Sequence, residues 1–468
     1  MPEKFDIVFL GGGPAGYQGA IRAAQLGAAV AVIEEKFVGG VCLNLGCIPT
    51  KTVRASAEVG RALRRAKEYG FKPVEVVPEI ASILDRKQRV IKGLRGSIER
   101  LFQAHRIELI EGRGRLVAPG KIEVQKGREV TRIEAARVVI ATGSRPAGLP
   151  VFPKSPRVFP ADEMLDISWL PQQLLVVGGG AVGVEMAAIF RELGSQVTLV
   201  ETQGHILPNE DREMGDTLLS ILQRRKIKVF CNIAVESATE NEKSIDVQLS
   251  NGTTLFPDAV LLAIGRRFNT ENIGLETLGI ETEQGRIVVN PHLETNVAGH
   301  YAAGDVIGGW LLAHVAFAEG ICAAEHAMGH GAPSMDYRVT PRCVFSIPEY
   351  AAVGLSYEQA ISQCRVKVAR FPFKSLGMAQ ALGELEGLVK IIVHADTEQI
   401  LGAHIIGPHA ADLVSAIALA MQSNLPARRI METIHTHPTL SEAVLEAAQA
   451  IYKQAIHIPP EHPVAERS

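Results

Sequence analysis

Ile7-Val-Phe-Leu-Gly-Gly-Gly-Pro-Ala-Gly16 is an apolar run ending in a G-x-G-x-x-G fingerprint, and Leu174-Leu-Val-Val-Gly-Gly-Gly-Ala-Val-Gly183 repeats it 167 positions later. Each run leads through a helical stretch to a second apolar strand, Ala29-Val-Ala-Val-Ile33 in one copy and Gln196-Val-Thr-Leu-Val200 in the other. Each of those strands is followed by an acid, Glu34 and Glu201, and Gly27 falls on Gly194 at the same offset. Each copy therefore reads as a βαβ unit with a glycine-rich turn and a carboxylate 18 residues past the last glycine. That is the arrangement that binds a dinucleotide.

Each residue type has a physical task. Gly11 and Gly178 permit the tight turn, and Gly13 and Gly180 let the backbone approach a pyrophosphate. Gly16 and Gly183 allow the helix to pack closely on the strand. The helix N-terminus then offers free N–H groups and a positive dipole end to the phosphates. Glu34 and Glu201 can accept hydrogen bonds from ribose hydroxyls. A carboxylate at 201 repels a 2′-phosphate, and Thr202, Gln203 and Gly204 supply no arginine to receive one. NAD is expected rather than NADP.

The chain of 468 residues is too long for one core and divides into several domains. Its composition, 47% hydrophobic and 21% charged, is that of an ordinary globular protein. A net charge of −3 gives no case for nucleic acid or an anionic membrane as partner. The N-terminus runs straight into a strand without the apolar stretch of a secretory leader, and no apolar run is long enough to span a bilayer. A cytoplasmic setting is expected, where ordinary thiols stay reduced.

The fold class expected is α/β: two Rossmann-like dinucleotide-binding domains followed by a C-terminal α+β module. Boundaries are read at 1–149 for the first domain, 150–270 for the second, 271–344 for a return to the first, and 345–468 for the last module. Residues 53–69 and 79–105 read as helices, with the basic stretch 86–106 as a solvated face, and strands follow near 107–111 and 121–125. Buried strands end at Gly143 and Gly265, one closing each dinucleotide domain. Val297–Asp305 returns the chain through a glycine turn into a helical run. The last module shows strands at 367–373, 388–394 and 400–406 and helices at 411–422 and 441–455.

Among six cysteines, two stand close: Gly39-Gly-Val-Cys42-Leu-Asn-Leu-Gly-Cys47-Ile-Pro-Thr-Lys51. The C-x₄-C spacing is not that of a zinc knuckle, and no second pair stands at metal-ligand spacing, so no metal is expected. In a regular helix, residues five apart have Cα atoms about 8.7 Å distant, whereas a disulfide needs less than about 7 Å. If the two sulfurs bond, the turn is distorted, and Gly46 is placed to permit it. A strained turn, a helix start and nearby Lys51 would favour a reducible bond and a stabilised thiolate. Two unrelated buried thiols are the other reading. Cys231, Cys322, Cys343 and Cys364 are isolated and read as small core residues.

Near the C-terminus, His435-Thr-His437-Pro-Thr-Leu-Ser-Glu442 sets a carboxylate five residues from a histidine across a helix start. That is a base-plus-orienter arrangement suited to general acid–base catalysis, although a His-Pro at a helix start is more often structural.

Three stretches carry a family resemblance: GGVCLNLGCIPTK at 39–51, the AAGD turn at 302–305 followed by LAH at 312–314, and HTHPTLSE at 435–442. Over its whole length the chain resembles the pyridine nucleotide–disulfide oxidoreductases, and within them the dihydrolipoamide dehydrogenases. The resemblance implies FAD at the first fingerprint and NAD at the second. It implies a redox-active disulfide in which Cys42 exchanges with a dithiol and Cys47 lies against the flavin. Lys51 would sit near the flavin paired with Glu185, Asp305 would hold ribityl hydroxyls, and backbone at Gly114 and Ala313 would touch FAD. Val235 and residues 263–266 would line the NAD site. His437, oriented by Glu442, would be a base donated by the other subunit of a homodimer. The implied partner is the lipoyl domain of a 2-oxo acid dehydrogenase or glycine-cleavage complex. Two departures stand out: Val41 where the family usually has Thr, and Val315 where Lys commonly follows Ala-His. The alternatives are an NADH-dependent reductase of another disulfide and a flavoprotein serving mainly as a component of a large complex.

Overall fold

The computed structural model describes residues 3–331 and 333–459. The chain opens with β1 (Glu3–Leu10), α1 (Pro14–Gln25) and β2 (Val30–Glu34), followed by the short α2 (Gly40–Asn44) and the longer α3 (Cys47–Arg64). The helix α4 (Ile80–Ala104) leads to β3 (Glu108–Glu111), β4 (Arg113–Ala118), β5 (Lys121–Lys126) and β6 (Glu129–Ile140). The sheet order is β3-β2-β1-β6-β5-β4, and the later strand His300–Ala302 joins it beside β6. Ile7 to Leu10 and Val30 to Ile33 are almost fully buried, as expected for parallel strands covered on both faces.

The second copy has the strands Gln173–Val177 and Gln196–Val200 around α5 (Ala181–Leu193), in a five-stranded parallel sheet. The repeat extends to the register. Leu10 pairs with Ile33 in the first sheet, and the equivalent Val177 pairs with Val200 in the second. A Cβ on Gly11 would lie 2.3 Å from the Ala141 carbonyl, and one on Gly178 would lie 2.3 Å from that of Ala263. Each fingerprint loop is thus pressed against the strand that closes its own sheet.

The last module is a five-stranded antiparallel sheet with helices Ala410–Gln422 and Glu442–Ile451 against it. Its first strands, Arg342–Val344 and Glu349–Gly354, did not stand out in the sequence. The module's sheet therefore starts a few residues ahead of position 345. The last helix stops at Ile451 rather than continuing to 455. Asp305 opens a 3₁₀ turn, and the α-helix proper starts only at Ala313.

Two further expectations need correction. The helix read from residue 53 begins at Cys47 and ends at Arg64, with a 3₁₀ turn at Ala66–Tyr69. The basic face of α4 is not wholly solvated. Lys87 is 2% exposed and donates to the Leu165 carbonyl at 2.6 Å while pairing with Asp166, which fastens α4 to the segment that enters the second dinucleotide domain.

No helix among the described residues is long and apolar enough to cross a membrane. The same residues contain no group of three or more His, Cys, Asp or Glu placed to hold a metal ion.

Candidate active site

Both fingerprints open on one cavity of about 1740 Å³. Gly11, Gly13, Glu34, Gly114, Gly143, Asp305 and Ala313 line its first part, and Gly178, Gly180, Glu201, Val235 and Gly265 its second. Cys42, Cys47, Lys51 and Glu185 line the same space. Gly16 and Gly183 do not. A Cβ on either would stand 1.9 Å from the carbonyl of Gly11 or Gly178, so their place is in the helix–loop packing. His437 and Glu442 also lie outside the lining of their own chain's cavity.

The fingerprint acids have a task that their spacing did not reveal. Glu34 accepts the Gly12 N–H at 2.8 Å and the Lys36 N–H at 2.8 Å. Glu201 accepts the Gly179 N–H at 2.6 Å and the Gln203 N–H at 2.7 Å. Each carboxylate pins its own glycine loop and keeps spare lone pairs for a ribose hydroxyl. Beyond Gly13 the nearest atom to an added Cβ is 3.8 Å away, and beyond Gly180 nothing lies within 4 Å. Open space at these glycines, pinned loops and helix N-termini facing one cavity fit two dinucleotides.

The cysteine pair sits where a helix breaks. α2 ends at Asn44, and Leu45 (φ −132°, ψ −18°) and Gly46 (φ −116°, ψ −102°) leave the helical region before α3 starts at Cys47. The carbonyl of Val41 accepts from both Leu45 N (2.8 Å) and Gly46 N (2.7 Å). Asn44 anchors the turn by donating to the Gly40 carbonyl at 2.8 Å and accepting from Arg95 of α4 at 2.6 Å. Val41 thus contributes backbone to this turn, and Val315 is a core residue at 7% exposure.

Both sulfurs are free thiols in this structure. They are nevertheless unequal. The Cys42 thiol shares its proton with Cys47, and this hydrogen bond, with burial, pushes its pKa up. The same hydrogen bond holds Cys47 below the ordinary thiol range, against the opposing effect of burial and with help from the Lys51 charge. Lys51 Nζ is 2.6 Å from Glu185 Oε1 on α5 and 4.3 Å from the centroid of the Phe345 ring.

Asp305 receives the Ser144 hydroxyl, and Arg266 Nε donates to the same hydroxyl at 2.6 Å while its guanidinium pairs with Asp162 at 3.0 Å. Sequence reading passed over Ser144 and Arg266 because neither belongs to a motif of its own. Their proximity to Gly143 and Gly265 was the available sign. It also misplaced Cys343, which lines the cavity, where burial and Glu349 push its thiol up to about 12. Beside it Arg342 forms a two-pronged pair with Glu210 at 2.9 and 3.0 Å and stacks 4.9 Å from the ring of Trp310, another cavity residue.

His437 Nδ1 is 2.8 Å from Glu442 Oε1, and the other oxygen, Oε2, accepts the Thr439 N–H at 2.8 Å. The imidazole is 78% exposed, and Ile434 nearby is 96% exposed. A base–orienter pair thus stands at an exposed surface, outside the lining of its own chain's cavity.

Comparison with known proteins agrees with this geometry. Residues 5–320 match the sequence profile of the pyridine nucleotide-disulphide oxidoreductases, and residues 340–448 match the dimerisation domain of the same family. The chain belongs to the pyridine nucleotide–disulphide oxidoreductase family. It is 41% identical to the dihydrolipoyl dehydrogenase of Bacillus subtilis, covering 98% of this chain and 100% of that one. It is 40% identical to the dihydrolipoyl dehydrogenase of Thermus scotoductus, with 97% and 99% covered. Among solved structures, LpdA from Mycobacterium tuberculosis matches with a TM-score of 0.89 at 31% identity over 96% of this chain and 99% of that one. RclA, an HOCl-induced flavoprotein disulfide reductase from Escherichia coli, matches with a TM-score of 0.86 at 28% identity over 95% and 99%. These relatives put the chain in the dihydrolipoyl dehydrogenase branch, whose members use FAD and NAD(H). The C-terminal dimerisation domain supports a homodimer.

Proposed function

We propose that this protein oxidises a protein-bound dihydrolipoyl group to lipoyl and delivers the electron pair to NAD⁺. The observation that carries this reading is the unequal thiol pair at the helix break, with Lys51 and Glu185 beside it. In the oxidised enzyme Cys42 and Cys47 form a disulfide. A dihydrolipoyl thiolate attacks Cys42 Sγ, the S–S bond breaks, and Cys47 departs as the thiolate that its surroundings favour. The lower-pKa sulfur is the better leaving group. The second lipoyl thiol gives its proton to a base, its sulfur closes the lipoyl disulfide, and Cys42 is released to take up a proton. FAD, when bound, supplies the two-electron relay between this dithiol and NAD⁺.

The first fingerprint, Glu34, Gly114, Gly143, Asp305 and Ala313 hold FAD. The second fingerprint, Glu201, Val235 and Gly265 hold NAD. The base is His437 of the partner subunit, with its tautomer set by Glu442 of the same subunit. The lipoyl group arrives on a separate lipoyl domain of a 2-oxo acid dehydrogenase or glycine-cleavage complex. We place the reaction in the cytoplasm, where a dithiol/disulfide pair of this kind can cycle against a reducing thiol pool.

Anaerobic titration with dihydrolipoamide tests the reading. Wild type should develop a long-wavelength thiolate–flavin band and then form NADH on addition of NAD⁺. Cys42→Ser should fail to react with dihydrolipoamide. Normal lipoamide turnover by that variant would end the assignment. The resemblance to RclA favours a second reading, reduction of another disulfide with NADH, which would appear as turnover of that disulfide and none of lipoamide.

A further inference from the structure

Glu319 is a buried acid that the chemistry above does not use. It lies on the helix Ala313–Ala327 and is 3% exposed. Its Oε2 accepts the backbone N–H of Gly304 at 2.7 Å, and its Oε1 accepts the Tyr337 hydroxyl at 2.8 Å. Gly304 has φ +79° and ψ −161°, a conformation that residues with a side chain rarely adopt. An added Cβ there would come within 3.3 Å of Ala15 and 3.5 Å of Ala316. The next residue is Asp305, whose carboxylate faces the cavity between Ser144 and Arg266.

The surroundings leave Glu319 little freedom to be a mere filler. Its helix is seated on α1 so tightly that a Cβ on Gly320 would stand 2.1 Å from the Ala15 carbonyl. The first fingerprint helix, the 302–305 turn and the helix carrying Glu319 therefore form one packed unit. A carboxylate in such a place is costly unless both oxygens are used. Both are used, and one of them holds the peptide N–H immediately ahead of Asp305.

We propose that Glu319 is a positioning residue for the flavin: its carboxylate fixes the Gly304 turn and so aims Asp305 at the polyol chain of FAD. The inference rests on the reading of Asp305 as a FAD ligand. Its measure is the dissociation constant of FAD from the apoprotein, followed by the quenching of flavin fluorescence on reconstitution. Glu319→Ala should bind FAD roughly tenfold more weakly, the loss of one hydrogen bond to a charged acceptor. Glu319→Gln keeps an oxygen toward Gly304 and should stay within about twofold of wild type. Tyr337→Phe leaves the Gly304 bond in place and should also stay within about twofold.

Because Glu319 acts through Asp305, adding Glu319→Ala to Asp305→Ala should bring no further loss. A wild-type constant for Glu319→Ala, or losses that multiply in the double variant, would overturn the proposal. Should Glu319→Ala not fold, Glu319→Met fills the volume without an acceptor and should show the same weakening. Wild-type FAD affinity in Glu319→Met overturns the proposal equally. If Asp305→Ala alone binds FAD normally, the reading of Asp305 has failed, and the proposal falls with it for that separate reason.

Discussion

Lys51 Nζ, on the helix that starts at Cys47, lies 2.6 Å from Oε1 of Glu185 on the second fingerprint helix. The ion pair therefore ties the cysteine turn of the first dinucleotide domain to the fingerprint helix of the second. Glu185 is mostly buried and anchors the lysine, whose side chain keeps about a third of its surface exposed.

That placement fixes the first prediction. Lys51 lowers the Cys47 thiol and Glu185 raises it. In the reduced enzyme, Lys51→Met should move the Cys47 titration upward and so lower its thiolate fraction. Glu185→Gln should move it the other way. Thiolate absorbance followed against pH reads both, and movement of both variants in the same direction would contradict the pair.

His437 lies outside its own chain's cavity, so complementation between inactive variants should work. Cys42→Ser and His437→Gln homodimers should each be inactive. In a dimer of one subunit of each kind, one site keeps an intact Cys42 and the His437 of the partner subunit. Random exchange of equal amounts should restore roughly a quarter of wild-type turnover. No recovery after verified subunit exchange would place the base within the same chain.

Lys390 is fully buried with its ammonium 2.8 Å from Asp211, which also caps helix α6 (Arg212–Arg224) through the Met214 N–H. This joins the last module to the second dinucleotide domain. Lys390→Met leaves a buried carboxylate short of its counter-ion and should cost about 3–5 kcal/mol in denaturant unfolding. A change below about 1 kcal/mol would mean that water or Arg370 replaces the ammonium.

Glu319 predicts a pH dependence of the apoprotein. Burial first, then Asp305, raise its pKa to about 7, against the lowering effects of Tyr337 and the Gly304 N–H. The titratable groups around it are Tyr337 and Asp305, with Cys322 on its own helix. Its folded pKa lies above the unfolded value of 4.5, so the stability it contributes is fully present below pH 4.5. That contribution is lost as pH rises to about 7, at a slope of about 1.4 kcal/mol per pH unit. Urea midpoints of wild type should therefore fall relative to Glu319→Gln across this window and run parallel above it. Parallel curves throughout would show that Glu319 does not ionise there.

The fingerprints and the cysteine turn were legible in the sequence because glycines at fixed spacing, and a pair of thiols that a regular helix cannot bridge, leave a local record. The same holds for His437 and Glu442, five positions apart. The unread residues are those whose partners are distant along the chain. Arg342 and Glu210 are separated by 132 positions, and Glu319 announces itself only through a turn 15 residues earlier. The strand Glu349–Gly354 was missed because Ala351 and Ala352, weak strand formers, sit at its centre. The helix read from residue 53 reaches back to Cys47 because Pro49 stands in its first turn, where no N–H partner is needed.

The hold of Glu201 on its own glycine loop bears on how such an enzyme could evolve. Swapping the acid for arginine is the obvious route from NAD to its phosphorylated form. Here that exchange would also release the Gly179 and Gln203 N–H groups that the carboxylate holds. A one-step mutant would unpin the second glycine loop at the same time as it changed the charge at position 201. A redesign at position 201 must therefore supply a substitute acceptor for the Gly179 N–H before it removes the carboxylate.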